Sequence, residues 1–304
     1  MSNTDTKVSI AGVTFKNPVT TASGTFSAEG SGKFYDISRL GAVITKGVSS
    51  VPWNGNNTPR IAESYGGMIN SIGLQNPGVE RYIEEELAYL KNFDVPVIAN
   101  VAGKSISEYC EVADKLNDTN VAMMEINISC PNVKEGGISF GTDVKMAAEL
   151  TREVKRIARK PIILKLTPNV RDITEIAKAV ASEGADAISL INTLLGMKID
   201  IYTKKPVLAN IMGGLSGPAV KPVALRMVYQ VRRAVDVPII GLGGIMTGED
   251  AVEFLLAGAS AVSVGTAALV NPVAPIEVAG GIEKYMKEQG FKNIEELKDS
   301  YRDY

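Results

Sequence analysis

The sequence predicts an α/β protein that folds as a (β/α)8 TIM barrel with inserted loops after strands two and six. Three observations lead to this prediction. Apolar strand-like runs recur eight times, amphipathic helical patterns lie between them, and 304 residues suit one such barrel. Continuous apolar strands that alternate with amphipathic helices are typical of a parallel sheet buried on both faces. Residues 1–304 are therefore expected to form a single domain.

The strands are expected at eight runs of apolar residues, taken in chain order. They lie near Val19–Ala22, Ala42–Thr45, Pro96–Ala99, Ala122–Ile126, Ile162–Leu166, Ala187–Ile191, Pro238–Leu242 and Ala261–Val264. Between them, spacings of three and four residues predict helices, as for Ile173, Ile176 and Val180. Two long segments, about 47–95 and 194–237, interrupt this rhythm and are expected to build a substrate face or an oligomer contact.

The main alternative to a barrel is an open, doubly wound sheet that binds a dinucleotide. Such a fold carries a G-x-G-x-x-G turn directly after its first strand. The nearest match here, Gly241-Leu-Gly-Gly244, comes late in the chain and lacks the third glycine. The barrel is therefore the favoured fold.

Composition excludes several classes of function. The formal net charge is −2, so no basic excess favours nucleic acid or an anionic membrane as a partner. The absence of histidine excludes Ser-His-Asp hydrolysis and His-ligated metal sites, and no metal site is expected. Two cysteines cannot form a disulfide scaffold or hold an iron–sulfur cluster alone.

The sequence is expected to belong to a cytoplasmic protein. Its first residues show no signal-peptide pattern. The uncharged stretch 254–276 is long enough to cross a membrane, but glycines and prolines interrupt it. We expect a helix end, a strand and a loop there, and no membrane span.

Polar or small residues follow every predicted strand, and this ring is the strongest functional signal. Its members are Ser23-Gly24, Lys46-Gly47, Asn100, Asn127, Lys165, Asn192-Thr193, Gly243-Gly244 and Gly265-Thr266. The carboxyl ends of barrel strands converge on the active site in enzymes of this fold. Burying such groups without partners costs about 1–3 kcal/mol each, so a purely structural barrel gains nothing from them.

The residue types in the ring favour a phosphorylated, planar ligand. Glycines at the ends of strands seven and eight are typical of barrel phosphate sites, although ordinary turn glycines are the alternative. Asparagine amides can both donate to and accept from a planar ring. Lys46 and Lys165 supply positive charge for a ligand that becomes anionic, unless they form structural ion pairs.

Cys130 is a candidate catalytic base. It follows strand four within the polar mouth, and a thiol has the unperturbed pKa closest to neutrality of the side chains present, about 8.5. Cys110 lies in a helical pattern and is expected in the core.

Five motifs resemble the class 1 dihydroorotate dehydrogenases of pyrimidine synthesis. They are Asn127-Ile-Ser-Cys-Pro-Asn132, Met68-Ile-Asn-Ser-Ile-Gly-Leu-Gln-Asn-Pro-Gly78, Ile191-Asn-Thr193, Gly213-Gly-Leu-Ser-Gly-Pro218 and Gly241-Leu-Gly-Gly244. The resemblance runs from about Val8 to Pro272. The segment Ile72-Gly-Leu-Gln-Asn-Pro-Gly78 is closer to the B-type, NAD-linked catalytic subunit than to the fumarate-linked A-type. Ser71 departs mildly from the family pattern, in which alanine is commoner.

The resemblance implies one FMN per chain at the barrel mouth and oxidation of (S)-dihydroorotate to orotate. The implied FMN contacts are Ser23, Lys46, Gly47, Asn100, Asn127, Lys165, Ile191, Gly217, Gly243, Gly244, Gly265 and Thr266. The implied substrate contacts are Lys46, Asn70, Ser71, Ile72, Gly73, Leu74, Asn127, Asn192 and Thr193. The implied catalytic residues are Cys130, as the base, and Lys46, which spans cofactor and substrate.

The resemblance also implies a partner chain. In the B-type family an electron-transfer subunit carries FAD and an iron–sulfur cluster and passes electrons to NAD, and we expect a homodimer of catalytic subunits within a heterotetramer. Three alternatives stay open from the sequence: a fumarate-linked A-type enzyme, a dihydropyrimidine dehydrogenase-like FMN reductase, and a non-catalytic flavin-binding barrel.

Overall fold

Eight parallel strands form the centre of the protein, in a computed structural model that describes residues 4–129 and 140–303. They are β1 (Val19–Thr21), β2 (Val43–Ile44), β3 (Val97–Val101), β4 (Met123–Asn127), β5 (Ile162–Lys165), β6 (Ala187–Leu190), β7 (Ile239–Leu242) and β8 (Ala261–Val264). Each strand lies at a predicted run. Their order, β1-β8-β7-β6-β5-β4-β3-β2, places β1 beside β8 and confirms the predicted (β/α)8 barrel over the open sheet.

The seam between β1 and β2 closes the barrel with few backbone hydrogen bonds. A single parallel bridge joins Thr20 to Ala42, and the N–H of Gly41 donates to the carbonyl of Val19 at 2.9 Å. The hydroxyl of Thr21 donates to the carbonyl of Ile44 (3.0 Å) and accepts from the N–H of the same residue (2.9 Å). A threonine side chain therefore takes the place of ladder bonds at this seam.

A helix follows each strand and covers the outside of the barrel. The helices are α1 (Ala28–Gly32), α2 (the consecutive segments Val79–Arg81, Tyr82–Leu87 and Ala88–Leu90, of which the second is π-helical), α3 (Ile106–Asn117), α4 (Val144–Ile157), α5 (Ile173–Ser182), α6 (Lys221–Arg232), α7 (Gly248–Leu256) and α8 (Ala274–Gln289). Side chains of Ser105, Asp143, Asp172 and Thr247 accept backbone N–H groups at the first turns of α3, α4, α5 and α7. Such caps satisfy donors that the helix itself leaves without partners. Within the described ranges, none of the helices combines the length and apolarity that a membrane crossing requires.

The apolar faces of the helices pack on the barrel as their spacing predicts. On α5, Ile173, Ile176 and Val180 are all buried. The acidic run Glu84–Glu86 on α2 is exposed at Glu84 and Glu85 but half-buried at Glu86. Successive helical residues point in different directions, about 100° apart in an α-helix, so neighbours in sequence need not be equally exposed.

The two long insertions meet in one antiparallel sheet. Ile61–Ser64 and Gly67–Asn70 come from the first insertion, and Met212–Ser216 and Leu194–Met197 come from the second. Met212–Ser216 pairs with both Gly67–Asn70 and Leu194–Met197. This small sheet, the insertion sheet, brings side chains from distant parts of the sequence over the mouth of the barrel.

Candidate functional site

A cavity of about 320 Å³ lies at the carboxyl ends of the barrel strands, next to the insertion sheet. The sequence-predicted residues that line it come from seven of the eight barrel strand ends and from both insertions. They are Ser23, Lys46, Asn70, Ile72, Gly73, Leu74, Asn127, Lys165, Ile191, Asn192, Thr193, Gly217, Gly243, Gly244, Gly265 and Thr266. The structure therefore brings most of the candidate residues together around one space.

Three candidate residues do not line this cavity. Gly47 and Asn100 lie behind the wall, where a Cβ atom on Gly47 would come within 2.6 Å of Asn100 Oδ1. Ser71 is buried and its hydroxyl accepts a hydrogen bond from Asn56 Nδ2 at 2.9 Å. The predicted base Cys130 lies outside the described residues, and Ser129 is the last described residue before it.

A buried ion pair lies in the wall of the cavity. Lys165, at the end of β5, is almost fully buried, and its Nζ lies 3.7 Å from Oε2 of Glu125 on β4. Glu125 is completely buried and accepts from Asn100 Nδ2 at 2.5 Å and from Ser189 Oγ at 2.7 Å. Each buried charge thus has a partner, which is the condition under which burial of charge is tolerated.

Asparagine and serine side chains continue from this pair along the cavity wall. Asn127 Nδ2 lies 3.5 Å from Asn100 Oδ1, and Asn127 Oδ1 accepts from Ser129 Oγ at 2.8 Å. Ser129 Oγ in turn accepts from Asn192 Nδ2 at 2.5 Å. Because these residues lie at the carboxyl ends of β3, β4 and β6, the barrel holds their side chains in one connected row.

The turn after β7 is held by a charged cluster outside the cavity. Gly244 has a φ of +79°, and a Cβ there would lie 2.7 Å from Lys221 N, so glycine suits the close approach of this turn to α6. Asp250 accepts from the N–H groups of Met246 (2.9 Å) and Thr247 (3.0 Å) and from Lys221 Nζ (2.6 Å). Burial alone raises the pKa of Asp250, but these hydrogen bonds outweigh burial and leave it below its ordinary value. Hydrogen bonds to Asp250 and Glu253 raise the pKa of Lys221.

The opposite wall combines the insertion sheet with the segment after β6. Asn70 Nδ2 donates to the carbonyl of Gly214 at 3.3 Å. Asn169 Nδ2 donates to the carbonyl of Thr193 at 3.0 Å, and its Oδ1 accepts from Leu195 N at 2.9 Å. Asn169 therefore fixes the position of Thr193 from behind.

Sequence reasoning missed several residues of this region, above all Glu125, Ser129, Asn169 and Ser189. Two of them carried a visible signal, since Glu125 and Ser189 are polar residues inside otherwise apolar strands. A polar residue in such a strand needs a buried partner, so it marks a polar barrel interior.

The arrangement offers two ammonium groups, several amide groups and glycine-rich turns around one space. Lys46 and Lys165 favour anionic groups, while Asn70, Asn127 and Asn192 can bind a planar ring at its donor and acceptor edges. The turns after β7 and β8 lie where barrels commonly hold phosphate. The site therefore suits a phosphorylated cofactor together with a small, planar, anionic ligand.

Comparison with known proteins gives one consistent family. The family model described as dihydroorotate dehydrogenase matches residues 5–286. Two relatives are each described as "Dihydroorotate dehydrogenase B (NAD(+)), catalytic subunit". The relative from Alkaliphilus metalliredigens is 60% identical over 301 residues, which cover 99% of this chain and 100% of the relative. The relative from Lachnoclostridium phytofermentans is 61% identical over 297 residues, which cover 96% of this chain and 98% of the relative.

Proposed function

The chain belongs to the dihydroorotate dehydrogenase family, and we propose that it is a B-type catalytic subunit, which oxidises (S)-dihydroorotate to orotate in pyrimidine biosynthesis. The observation that carries the proposal is the convergence of Lys46, Asn127, Lys165 and Asn192 on one cavity. The near full-length similarity to NAD-linked catalytic subunits supports it. We further propose that residues 1–304 act as a single FMN-binding barrel domain.

The residues around the cavity fit an FMN molecule. Gly243, Gly244, Gly265 and Thr266 would hold its phosphate through the turns after β7 and β8. Lys165, a buried cation in the wall, would face the part of the flavin that becomes negative on reduction. When bound, FMN supplies the acceptor, at its N5 atom, for the hydride that leaves C6 of dihydroorotate.

The chain's own side chains would bind and orient the substrate. Asn70, Asn127 and Asn192 would bind the edges of its ring, with Thr193 and the backbone of 72–74 beside them. Lys46 would contact both the cofactor and the substrate. The C5 proton would go to the thiolate of Cys130, and its loss together with that of the C6 hydride leaves the ring with the C5–C6 double bond of orotate.

A partner subunit would carry the electrons onward to NAD. With no histidine and two cysteines, the chain has too few ligands for an iron–sulfur cluster. We propose that FAD and the cluster lie on an electron-transfer subunit, and that two catalytic subunits form a homodimer within a heterotetramer. Exposed apolar residues of the second insertion, such as Ile201 (74% exposed) and Tyr202 (89%), support a protein contact there.

Anaerobic flavin reduction tests the substrate. The purified protein, loaded with FMN, is mixed with dihydroorotate or with dihydrouracil, and the flavin absorbance is followed. Bleaching by dihydroorotate alone supports the proposal, because only this substrate carries the carboxylate. Bleaching by dihydrouracil alone would instead favour a dihydropyrimidine dehydrogenase-like reductase.

Co-purification tests the electron acceptor. We expect a second, FAD-containing subunit to co-purify with the chain, and the complex to reduce NAD with dihydroorotate. Full turnover of the isolated chain with fumarate, with no second subunit, would favour the A-type alternative.

A further inference from the structure

The carboxylate of Glu125 is the buried end of a row of hydrogen bonds. Among residues 4–129 and 140–303, Glu125 is the one acidic residue that is fully buried. It lies inside the barrel, on β4, in register with Asn100 on β3. It does not line the cavity, so any effect on a ligand must pass through other residues.

A carboxylate can only accept, so it forces each neighbour to donate. Asn100 therefore turns its NH₂ group toward Glu125 Oε2 (2.5 Å), which leaves Asn100 Oδ1 facing Asn127 Nδ2 (3.5 Å). Lys165 Nζ lies 3.7 Å from the same Oε2 and can only donate, so it also favours an acceptor oxygen at this position. The carboxylate thus distinguishes the two ends of an amide that otherwise fits either way round.

The direction set at Asn100 continues to the cavity. Asn127 donates toward Asn100, so its Oδ1 is the end that accepts from the backbone N–H (3.2 Å) and hydroxyl (2.8 Å) of Ser129. The Ser129 oxygen then accepts from Asn192 Nδ2 (2.5 Å). The remaining Asn192 Oδ1 accepts from the N–H of Thr193 at 2.8 Å.

We propose that Glu125 is a positioning residue that acts with the backbone N–H groups of Ser129 and Thr193. Together they set which end of Asn127 and of Asn192, donor or acceptor, is presented to the ring of the substrate. The inference rests on the proposed function in its choice of ligand, because Asn127 and Asn192 line the proposed substrate cavity. Glu125 acts through Asn100 and Ser129 and touches neither cofactor nor substrate.

A pair of ligands with opposite hydrogen-bonding patterns separates this role from simple structural support. Orotate has a carbonyl at C4 and an N3–H donor. Its 4-amino analogue, cytosine-6-carboxylate, has an amino donor at C4 and an acceptor at N3. Both are titrated into the FMN-loaded protein, and binding is followed by the change in the flavin absorbance spectrum. FMN content and thermal unfolding are recorded for each variant.

The wild-type protein is expected to prefer orotate. In Glu125→Met, which removes the acceptor, Asn100 can reverse and turn its NH₂ group toward that of Asn127. This opposes the orientation that the N–H groups of Ser129 and Thr193 hold, so the preference should fall at least about tenfold. Glu125→Gln is expected to keep the preference for orotate. Lys165 Nζ and Asn100 Nδ2 both face the Oε2 position, so the amide oxygen of the glutamine should lie there. Ser189→Ala removes the other hydrogen bond to Glu125, away from the row, and should keep the preference.

Loss of affinity by the same factor for both ligands in Glu125→Met would overturn the proposal, because that is the result of loosened packing alone. Should Glu125→Met fail to fold, Asn100→Ala interrupts the same row, and an unchanged preference in that variant would overturn it equally. Wild-type protein that binds neither ligand would contradict the proposed function and the inference with it. A wild-type preference for orotate that Glu125→Met retains in full contradicts the inference alone.

Discussion

The hydroxyl of Thr193 occupies the space that a side chain at position 214 would need, since a Cβ on Gly214 would lie 1.9 Å from Thr193 Oγ1. Thr193 lies in the segment after β6, and Gly214 lies on the strand Met212–Ser216 of the insertion sheet. Thr193 can therefore point as it does only because residue 214 has no side chain.

Gly214→Ala is accordingly expected to displace Thr193 and to weaken orotate binding by about tenfold or more. Gly196→Ala on the adjacent strand is the matched control, because its Cβ would meet nothing closer than 3.6 Å. Titration of orotate into the FMN-loaded variants measures the difference. Equal affinities in the two variants would show that Thr193 does not depend on Gly214.

Lys165 neutralises the buried carboxylate of Glu125, so Lys165→Met should lower the free energy of unfolding by about 3 kcal/mol. Adding Glu125→Gln to Lys165→Met should recover part of this loss, because the second change removes the buried charge. The amide oxygen can still accept from Asn100, and its NH₂ group can donate to the hydroxyl of Ser189. Urea unfolding of the two variants provides the test. A double variant less stable than Lys165→Met would contradict the ion-pair assignment.

Asp250 ties the turn after β7 to α7, and this turn is proposed to hold the FMN phosphate. Asp250→Ala should therefore lower FMN affinity about tenfold or more, since two backbone N–H groups and Lys221 lose their acceptor. Glu253→Gln is the control, because it alters only the more exposed contact of Lys221. Fluorescence titration with FMN measures both, and equal affinities would contradict the role of Asp250.

The carboxyl group of Asp250 also makes the stability of the folded protein depend on pH in the acidic range. The pKa of Asp250 is lowered in the folded protein, so the unfolded chain binds more protons in acid. Its contribution is complete above the ordinary pKa of 3.8 and is lost as the pH falls through the folded pKa. Asp250→Ala should therefore lose less stability than the wild type between pH 5 and pH 3 in urea unfolding.

Glu86 predicts the opposite pH dependence. Burial raises the pKa of its carboxyl to about 7, from 4.5. The folded protein then binds more protons than the unfolded chain between these values, so stability falls as the pH rises from 4.5 to 7 and then levels. Glu86→Gln should thus be about 1–3 kcal/mol more stable than the wild type at pH 8 and equal to it at pH 4.

Glu84→Gln, at an exposed position of the same helix, is the control for Glu86. Urea unfolding at pH 4, 6 and 8 gives the three values needed. A Glu86→Gln variant with the same stability profile as Glu84→Gln would show that the Glu86 carboxyl is not desolvated.

The barrel could be predicted because each of its strands is recognisable from a short stretch of sequence. Runs such as Ile162–Lys165 and Ala261–Val264 are continuously apolar, and a strand buried on both faces requires such a run. The ring of polar strand ends followed from the same reasoning, because parallel strands of a barrel end on one side. Lys165 and Asn192 therefore reach the same cavity.

The parts that could not be predicted depend on contacts between distant residues. The insertion sheet pairs Asn70 with Gly214, and nothing local in either segment specifies the other. The role of Glu125 depends on Asn100 and Ser189, which come from two other strands. Cys110 is predicted to lie in the core, but it is half-buried at the edge of the core, and burial raises the pKa of its thiol. Helical spacing alone does not distinguish such an edge position from the interior.

The central claim, that Cys130 removes the C5 proton of dihydroorotate while flavin accepts the hydride, is tested most directly by anaerobic rapid mixing with dihydroorotate. The two cysteines supply a matched pair of variants, Cys130→Ala and Cys110→Ala. We expect flavin bleaching at the wild-type rate in Cys110→Ala. Cys130→Ala should still bind FMN, and should still bind orotate in a separate titration, but its bleaching by dihydroorotate should be slower by about 100-fold or more. Bleaching of Cys130→Ala at the wild-type rate would contradict the account.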